Sequence, residues 1–130
     1  MRGWFVVTKR VLDIGNCGPD HYAIRQMLLR QFGAEVEQAH ELSDALEILG
    51  KAKFDLVLIN RKLDIDYSDG MDVLAHLKGD ARYRDLPMML ITNFAEHEAA
   101  AIAAGAVPGF GKRTLYDDLT VTRLSQFLAS

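Results

Sequence analysis

The sequence has one cysteine, three prolines and no long apolar run. Cys17 has no second cysteine to pair with, so an internal disulfide is excluded and a reducing compartment is expected. No apolar stretch approaches the ~20 residues that a membrane-spanning helix requires. The apolar residues 4–7 are too few for the core of a signal peptide. We therefore predict a cytoplasmic protein without a membrane partner.

An excess of positive charge is also missing. The 15 Lys and Arg residues are outnumbered by 18 Asp and Glu, which gives a net charge of −3. A nucleic-acid-binding domain usually carries a basic stripe, so no nucleic-acid partner is expected. A chain of 130 residues, 49% of them hydrophobic, is long enough to bury one core. We predict an N-terminal extension over residues 1–8, in which Trp4 and Phe5 pack at an edge, and one domain over residues 9–130.

Strand and helix patterns alternate along this domain. Continuous apolar runs predict buried strands at residues 11–14, 56–59 and 88–91, an alternating pattern predicts an edge strand at 34–39, and a fifth short strand is expected near 109–110. Apolar residues at helical spacing predict five helices, and Ser43 is the expected N-cap of the second. Strict alternation predicts parallel strands joined by right-handed crossovers. The predicted fold is a doubly wound α/β sandwich with a five-stranded parallel sheet.

The carboxyl ends of the strands form the functional crevice in sheets of this kind. The residues at these ends are Gly15, Asn16, Asn60, Thr92 and Lys112. None is a carboxylate, whereas Mg²⁺ requires charged oxygen ligands. We therefore expect no metal and no cofactor. The pocket would hold water or an anion, or Lys112 would donate to the side-chain carbonyl of Asn60.

Three phrases carry a resemblance to a known family: FDLVLIN at 54–60, PMMLITN at 87–93 and AAGAVPGFGK at 103–112. With the five strand–helix spacings, they resemble a response-regulator receiver domain of the CheY-like, flavodoxin-like type, over about residues 9–127. The resemblance implies the strand order 2-1-3-4-5. It also implies, for active members, an acidic pair after strand 1 and an aspartate after strand 3 that hold Mg²⁺. That aspartate accepts a phosphoryl group from a histidine kinase, and a Thr and a Lys after strands 4 and 5 respond to it.

The chain departs from this pattern at the residues that carry the chemistry. Thr92 and Lys112 match the family, but the acidic pair falls on Gly15 and Asn16, or on Asn16 and Cys17 in the alternative register. The acceptor position is Asn60, and an acyl phosphate requires a carboxylate nucleophile. The resemblance is therefore to a degenerate pseudo-receiver.

Two further departures follow the strand ends. Arg113 stands where the family usually has proline, so a cis Lys-Pro bond is excluded, and the loop after strand 3 is about two residues longer than usual. The implied function is a non-catalytic signalling module, not an enzyme. Its partners would be signalling proteins that bind the face formed by helix 4, strand 5 and helix 5, and a homodimer is one option.

Two other functions remain open at the level of the sequence. The domain could be phosphorylated on another carboxylate within a two-component phosphorelay, with Asp64, Asp66 and Asp69 as the nearest candidates, or it could bind a small anion or metabolite. Asn60 would be either a hydrogen-bond hub or the mimic of one switch state. Asp13 interrupts an apolar strand, which indicates either a buried carboxylate with a hydrogen-bond partner or a register shift in strand 1.

Overall fold

The computed structural model describes residues 7–129, so the predicted packing of Trp4 and Phe5 lies outside the described residues. The described strands are β1 (Arg10–Ile14), β2 (Glu35–Ala39), β3 (Leu56–Asn60) and β4 (Met88–Ile91). The described helices are α1 (Gly18–Phe32), α2 (Leu42–Lys51), α3 (Gly70–Lys78), α4 (Ala95–Ala103) and α5 (Asp118–Leu128). Element order and parallel pairing confirm the doubly wound α/β fold with five helices.

The sheet buries both of its faces. In β3, Val57 and Ile59 pack into the core beneath α2, α3 and α4, whereas Leu56 and Leu58 pack into the core beneath α1 and α5. All four side chains are fully buried. A strand covered on both sides has no reason to alternate polar with apolar residues, so its apolar run is continuous. β2 lies at the edge of the sheet, as its charged residues predict.

The prediction of a fifth strand is wrong. Within residues 7–129 the sheet has four strands in the order β2-β1-β3-β4, and residue Phe110 makes one isolated parallel bridge to Ile91. The Val107 N–H donates to the Met88 carbonyl at 2.9 Å, so the chain does run beside β4. Pro108 has no N–H, and glycine on either side of Phe110 adds no side chain to hold an extended ladder.

The second helix begins one residue before the predicted N-cap, so that prediction is also wrong. Glu41 is the N-cap and Ser43 lies inside α2. The carboxylate of Asp44 accepts hydrogen bonds from the backbone N–H groups of His40 at 2.8 Å and Glu41 at 2.9 Å. At the end of α1, Gly33 adopts φ 64° and stops the helix as expected. Across the described part of the chain, no helix combines the length and apolarity needed to cross a bilayer.

Candidate functional site: the crevice at the strand ends

A cleft of about 450 Å³ opens at the carboxyl ends of β3 and β4. Its walls bring together three of the five predicted site residues, Asn60, Thr92 and Lys112. Gly15 and Asn16 do not line the cleft. The parallel sheet explains the gathering, because parallel strands end at one edge and their last side chains converge there.

Asn60 connects two strand ends through its side-chain amide. Its Nδ2 donates to the carbonyl of Gly15 at 3.1 Å and to the carbonyl of Lys62 at 2.7 Å. One bond reaches the end of β1 and the other holds the start of the loop after β3. This is the geometry of a hydrogen-bond hub, and a carboxylate could not reproduce it because a carboxylate has no N–H to donate.

Lys112 does not bond to Asn60, which was one of the arrangements considered for this pocket. Its Nζ lies 2.8 Å from Oδ2 of Asp20 in the first turn of α1. The hydrogen bond from Lys112 lowers the pKa of the Asp20 carboxyl below its ordinary value, and a hydrogen bond from Cys17 acts in the same direction. The sequence analysis missed Asp20. The available signal was its place in the first turn of the helix that follows β1, where a carboxylate faces the positive end of the helix dipole.

Leu63 fills the space beside Gly15. The Leu63 side chain is 3% exposed, and a Cβ added at Gly15 would collide with it. The backbone of Gly15 has φ 83°, a conformation that residues with a side chain rarely adopt. The Asp64 N–H donates to the Gly15 carbonyl at 2.9 Å and fixes the loop over this position. The position expected to carry the first acidic residue is therefore closed by an apolar side chain.

A buried polar cluster lies beneath the end of β1. Asp13 is 0% exposed, and its carboxylate accepts a hydrogen bond from Asn16 Nδ2 at 2.6 Å and contacts His21 Nδ1 at 2.8 Å. Gln38 Nε2 donates to the Asn16 carbonyl at 3.0 Å. This confirms the interpretation of Asp13 as a buried carboxylate with partners. The register of β1 against β3, with Asp13 opposite Leu58, is uninterrupted.

Thr92 bonds locally at the start of α4. Its hydroxyl shares a hydrogen bond with His97 Nδ1 at 3.2 Å and accepts one from the Phe94 N–H at 3.2 Å. The rings of Phe94 and His97 meet edge to face with their centroids 5.4 Å apart. The hydroxyl for which the resemblance implied a response to phosphorylation is therefore hydrogen-bonded at the start of α4.

Comparison with known proteins identifies the class. A family model described as the response regulator receiver domain matches residues 19–121, and the chain belongs to this family. A search of curated proteins finds no match.

Solved structures share the fold. A sensor protein from Polaromonas sp. JS666 aligns with a TM-score of 0.77 at 18% identity, over 92% of this chain and 95% of the other. The chemotaxis response regulator CheY4 of Vibrio cholerae aligns with a TM-score of 0.67 at 22% identity, over 87% and 97%. A response regulator from Burkholderia pseudomallei, solved with a phosphorylated aspartic acid, a calcium ion and citrate, aligns with a TM-score of 0.69 at 22% identity, over 94% and 67%.

The residues of this crevice do not fit the Mg²⁺ that the family's chemistry implies. Gly15, Asn16 and Asn60 provide no carboxylate, and Asn16 is fully buried against Asp13. Asp20 is the carboxylate nearest to Lys112 and is paired with it. Among residues 7–129, no three His, Cys, Asp or Glu side chains lie together as a metal-binding group. We assign no metal-dependent step to this crevice.

Proposed function

We propose that this receiver domain is a pseudo-receiver: a non-catalytic signalling module that is not phosphorylated at Asn60 and acts by binding other signalling proteins. The observation that carries the proposal is the closure of the acidic-pair position, where Leu63 is buried against Gly15. An apolar side chain and a cation cannot share that space, because Mg²⁺ keeps a shell of oxygen ligands.

The chemistry of Asn60 supports the proposal. A side-chain amide is not the carboxylate nucleophile that an acyl phosphate requires. Its nitrogen is also occupied by the carbonyls of Gly15 and Lys62, which hold the amide in place. Phosphorylation at this position would require a carboxylate oxygen in place of the amide and would break both hydrogen bonds of the amide nitrogen.

The carboxylates after β3 are poor substitutes for a phosphoacceptor. Asp66 accepts a hydrogen bond from the Ser68 N–H at 2.9 Å, and Asp69 accepts one from the Met71 N–H at 2.9 Å as the N-cap of α3. The family lysine, Lys112, is paired with Asp20 rather than with either of them. Phosphoryl transfer is fast only when such groups are positioned together.

The face formed by α4, Phe110 and α5 supports a role in protein binding. Large apolar side chains there are exposed: Phe94 by 53%, Ile102 by 42% and Leu119 by 59%. A groove of about 310 Å³ runs between the start of α4 and the start of α5. Exposed apolar side chains around a groove are typical of a surface that binds another protein.

Intact-mass measurement tests the proposal. The protein is incubated with acetyl phosphate and Mg²⁺, with the Vibrio cholerae CheY4 protein as a positive control. We expect the control to gain the mass of one phosphoryl group and this chain to keep its mass. A phosphorylated species of this chain would refute the proposal. The melting temperature should also be the same with and without millimolar Mg²⁺, because a ligand stabilises only by binding the folded state.

A further inference from the structure

The crevice carries unpaired positive charge in a molecule whose net charge is −3. Arg61 and Lys62 line the cleft, and neither side chain forms an ion pair with any of residues 7–129. Lys112, the third cation on its walls, is paired with Asp20. The residues that line the cleft include no carboxylate. A cationic pocket of this kind attracts an acidic group.

An acidic segment lies directly beside this pocket. We call residues 64–69 the acidic loop; its sequence is DIDYSD. The loop has a fixed shape, because the Leu63 N–H donates to the Ser68 carbonyl at 2.9 Å and residues Lys62 and Asp69 form an antiparallel bridge. A pre-shaped loop loses little conformational entropy on binding, which favours association.

The acidic loop also exposes apolar side chains. Ile65 is 55% exposed and Tyr67 is 78% exposed. Tyr67 has φ 59°, a left-handed backbone conformation that carries an energetic cost for a residue with a side chain. Within the monomer this exposed ring offers little packing to offset that cost. Phe94, 53% exposed on the wall of the cationic cleft, offers an aromatic surface of the kind that Tyr67 would pack against.

The two surfaces are complementary and adjacent, which is the arrangement that two-fold symmetry requires. A two-fold axis passing between them places the acidic loop of each protomer on the cleft of the other, with the same contact made twice. We propose that the chain forms a homodimer in which the acidic loop of each protomer docks in the cleft of its partner, at Arg61, Lys62 and Phe94. The proposed homodimer names a partner for the pseudo-receiver. It rests on the proposed function in one respect: the crevice must not be occupied by a phosphoryl group.

Sedimentation equilibrium of the full chain tests the dimer. We expect the average mass to rise from one chain towards two as concentration increases at low salt. At 1 M salt the dissociation constant should increase at least tenfold, because the Debye length falls to ~3 Å. A wild-type chain that stays monomeric up to millimolar concentration at low salt would overturn the proposal.

Charge-swapped variants provide the sharper test. Arg61→Glu/Lys62→Glu makes the cleft acidic, and Asp66→Lys/Ser68→Lys makes the acidic loop more basic. The homodimer dissociation constant of each variant alone should be at least tenfold higher than that of wild type, because both loop-to-cleft contacts lose charge complementarity. In an equimolar mixture of the two variants, one contact of the mixed dimer has the wild-type charges and the other places the two introduced lysines opposite the two introduced glutamates, so dimers should form. A mixture no more associated than its components would refute the docking mode.

The control variant is Lys53→Glu/Arg84→Glu. Both positions are exposed and lie before β3 and β4, at the opposite end of the sheet, and the change in net charge equals that of the cleft variant. It should dimerise like wild type; an equal loss of dimer would show that net charge rather than docking governs association. Because intact mass reports phosphorylation without reference to association, failure of the dimer is distinguishable from failure of the proposed function.

Discussion

Gly15 illustrates how one residue limits what the crevice can become. Its positive φ and the buried Leu63 side chain beside it are independent obstacles to an acidic side chain at this position. The first is a property of the backbone and the second belongs to the loop after β3. An aspartate at position 15 would therefore be strained and would clash with Leu63 before it could act as a metal ligand.

The Gly15→Asp variant should lose about 1–2 kcal/mol of unfolding free energy from the left-handed backbone alone, and Mg²⁺ should not recover it. Urea denaturation with and without millimolar Mg²⁺ measures both quantities. Gly18→Asp is the matched control, because a Cβ there meets no atom within 4 Å and its φ is not positive. Stabilisation of Gly15→Asp by Mg²⁺ would contradict the closed site.

The buried carboxylate of Asp13 supports a second prediction. His21→Phe removes one of its two partners, and an unsatisfied buried polar group costs about 2 kcal/mol. The free energy of unfolding should fall by that amount in urea denaturation. His76→Phe, on the exposed face of α3, should change it little. Equal effects of the two substitutions would mean that the pair with Asp13 contributes nothing.

The positions of the residues at the strand ends could be predicted from the sequence where the backbone alone determines them. Asn60 and Thr92 converge because parallel strands finish at one edge. The place of Asp20 in the first turn of α1 could be predicted, but its pairing with Lys112 could not, and neither could the contact of His21 with Asp13. Both depend on how α1 packs over the sheet and on the side-chain conformations there.

Helix α2 shows that a local sequence signal can place the start of a helix wrongly. A Ser before an apolar helical stripe is a common N-cap, yet the backbone begins its helix earlier and Asp44 satisfies the free N–H groups. Continuous apolar runs identified β3 and β4 correctly because burial on both faces leaves a strong pattern. The segment near Phe110 does not form a full strand, because Pro108 has no N–H to donate and a pattern of apolar residues does not reveal that missing donor.

The start of α2 gives a third prediction. Asp44→Ala should lower the free energy of unfolding by about 1 kcal/mol, because the N–H groups of His40 and Glu41 lose their acceptor. Ser43→Ala, at the position first expected to be the cap, should have a much smaller effect. Thermal or urea denaturation of the two variants compares them directly, and a larger loss in Ser43→Ala would reverse the assignment.

For the whole molecule, alternation of strands and helices was sufficient to predict the doubly wound architecture, and the family match confirms it. The order of the four strands agrees with the first four of the expected order. The absence of a full strand near Phe110 could not be predicted from the sequence. Pairing there depends on individual backbone N–H donors rather than on overall hydrophobicity.

The pair between Lys112 and Asp20 contributes to the dependence of stability on pH. The pKa of Asp20 is lowered in the folded state, so the unfolded chain binds its proton more tightly. The resulting stabilisation is complete above the ordinary value of 3.8 and is lost as the pH falls through the lower folded pKa. Asp80, whose pKa is lowered to about 2 by its hydrogen bonds with Arg82, contributes with the same sign.

The Asp20→Asn variant should therefore be less stable than wild type at pH 6, and the two should converge as the pH approaches 2. Urea midpoints measured across this range test the prediction. In Lys112→Met, a carbon-detected NMR titration should show the Asp20 pKa rising towards its ordinary value. A difference between wild type and Asp20→Asn that is independent of pH would exclude the ion pair as its source.

The outer rim of the sheet has a consequence for handling the protein at high concentration. β2 presents Glu35 and Glu37 along the border where a further strand would have to add, and Glu37 is tied to Arg10 on the neighbouring strand. A strand from another molecule would have to pair beside these carboxylates, which disfavours edge-to-edge aggregation at β2. Samples concentrated for weeks should consequently resist fibril formation nucleated at this border.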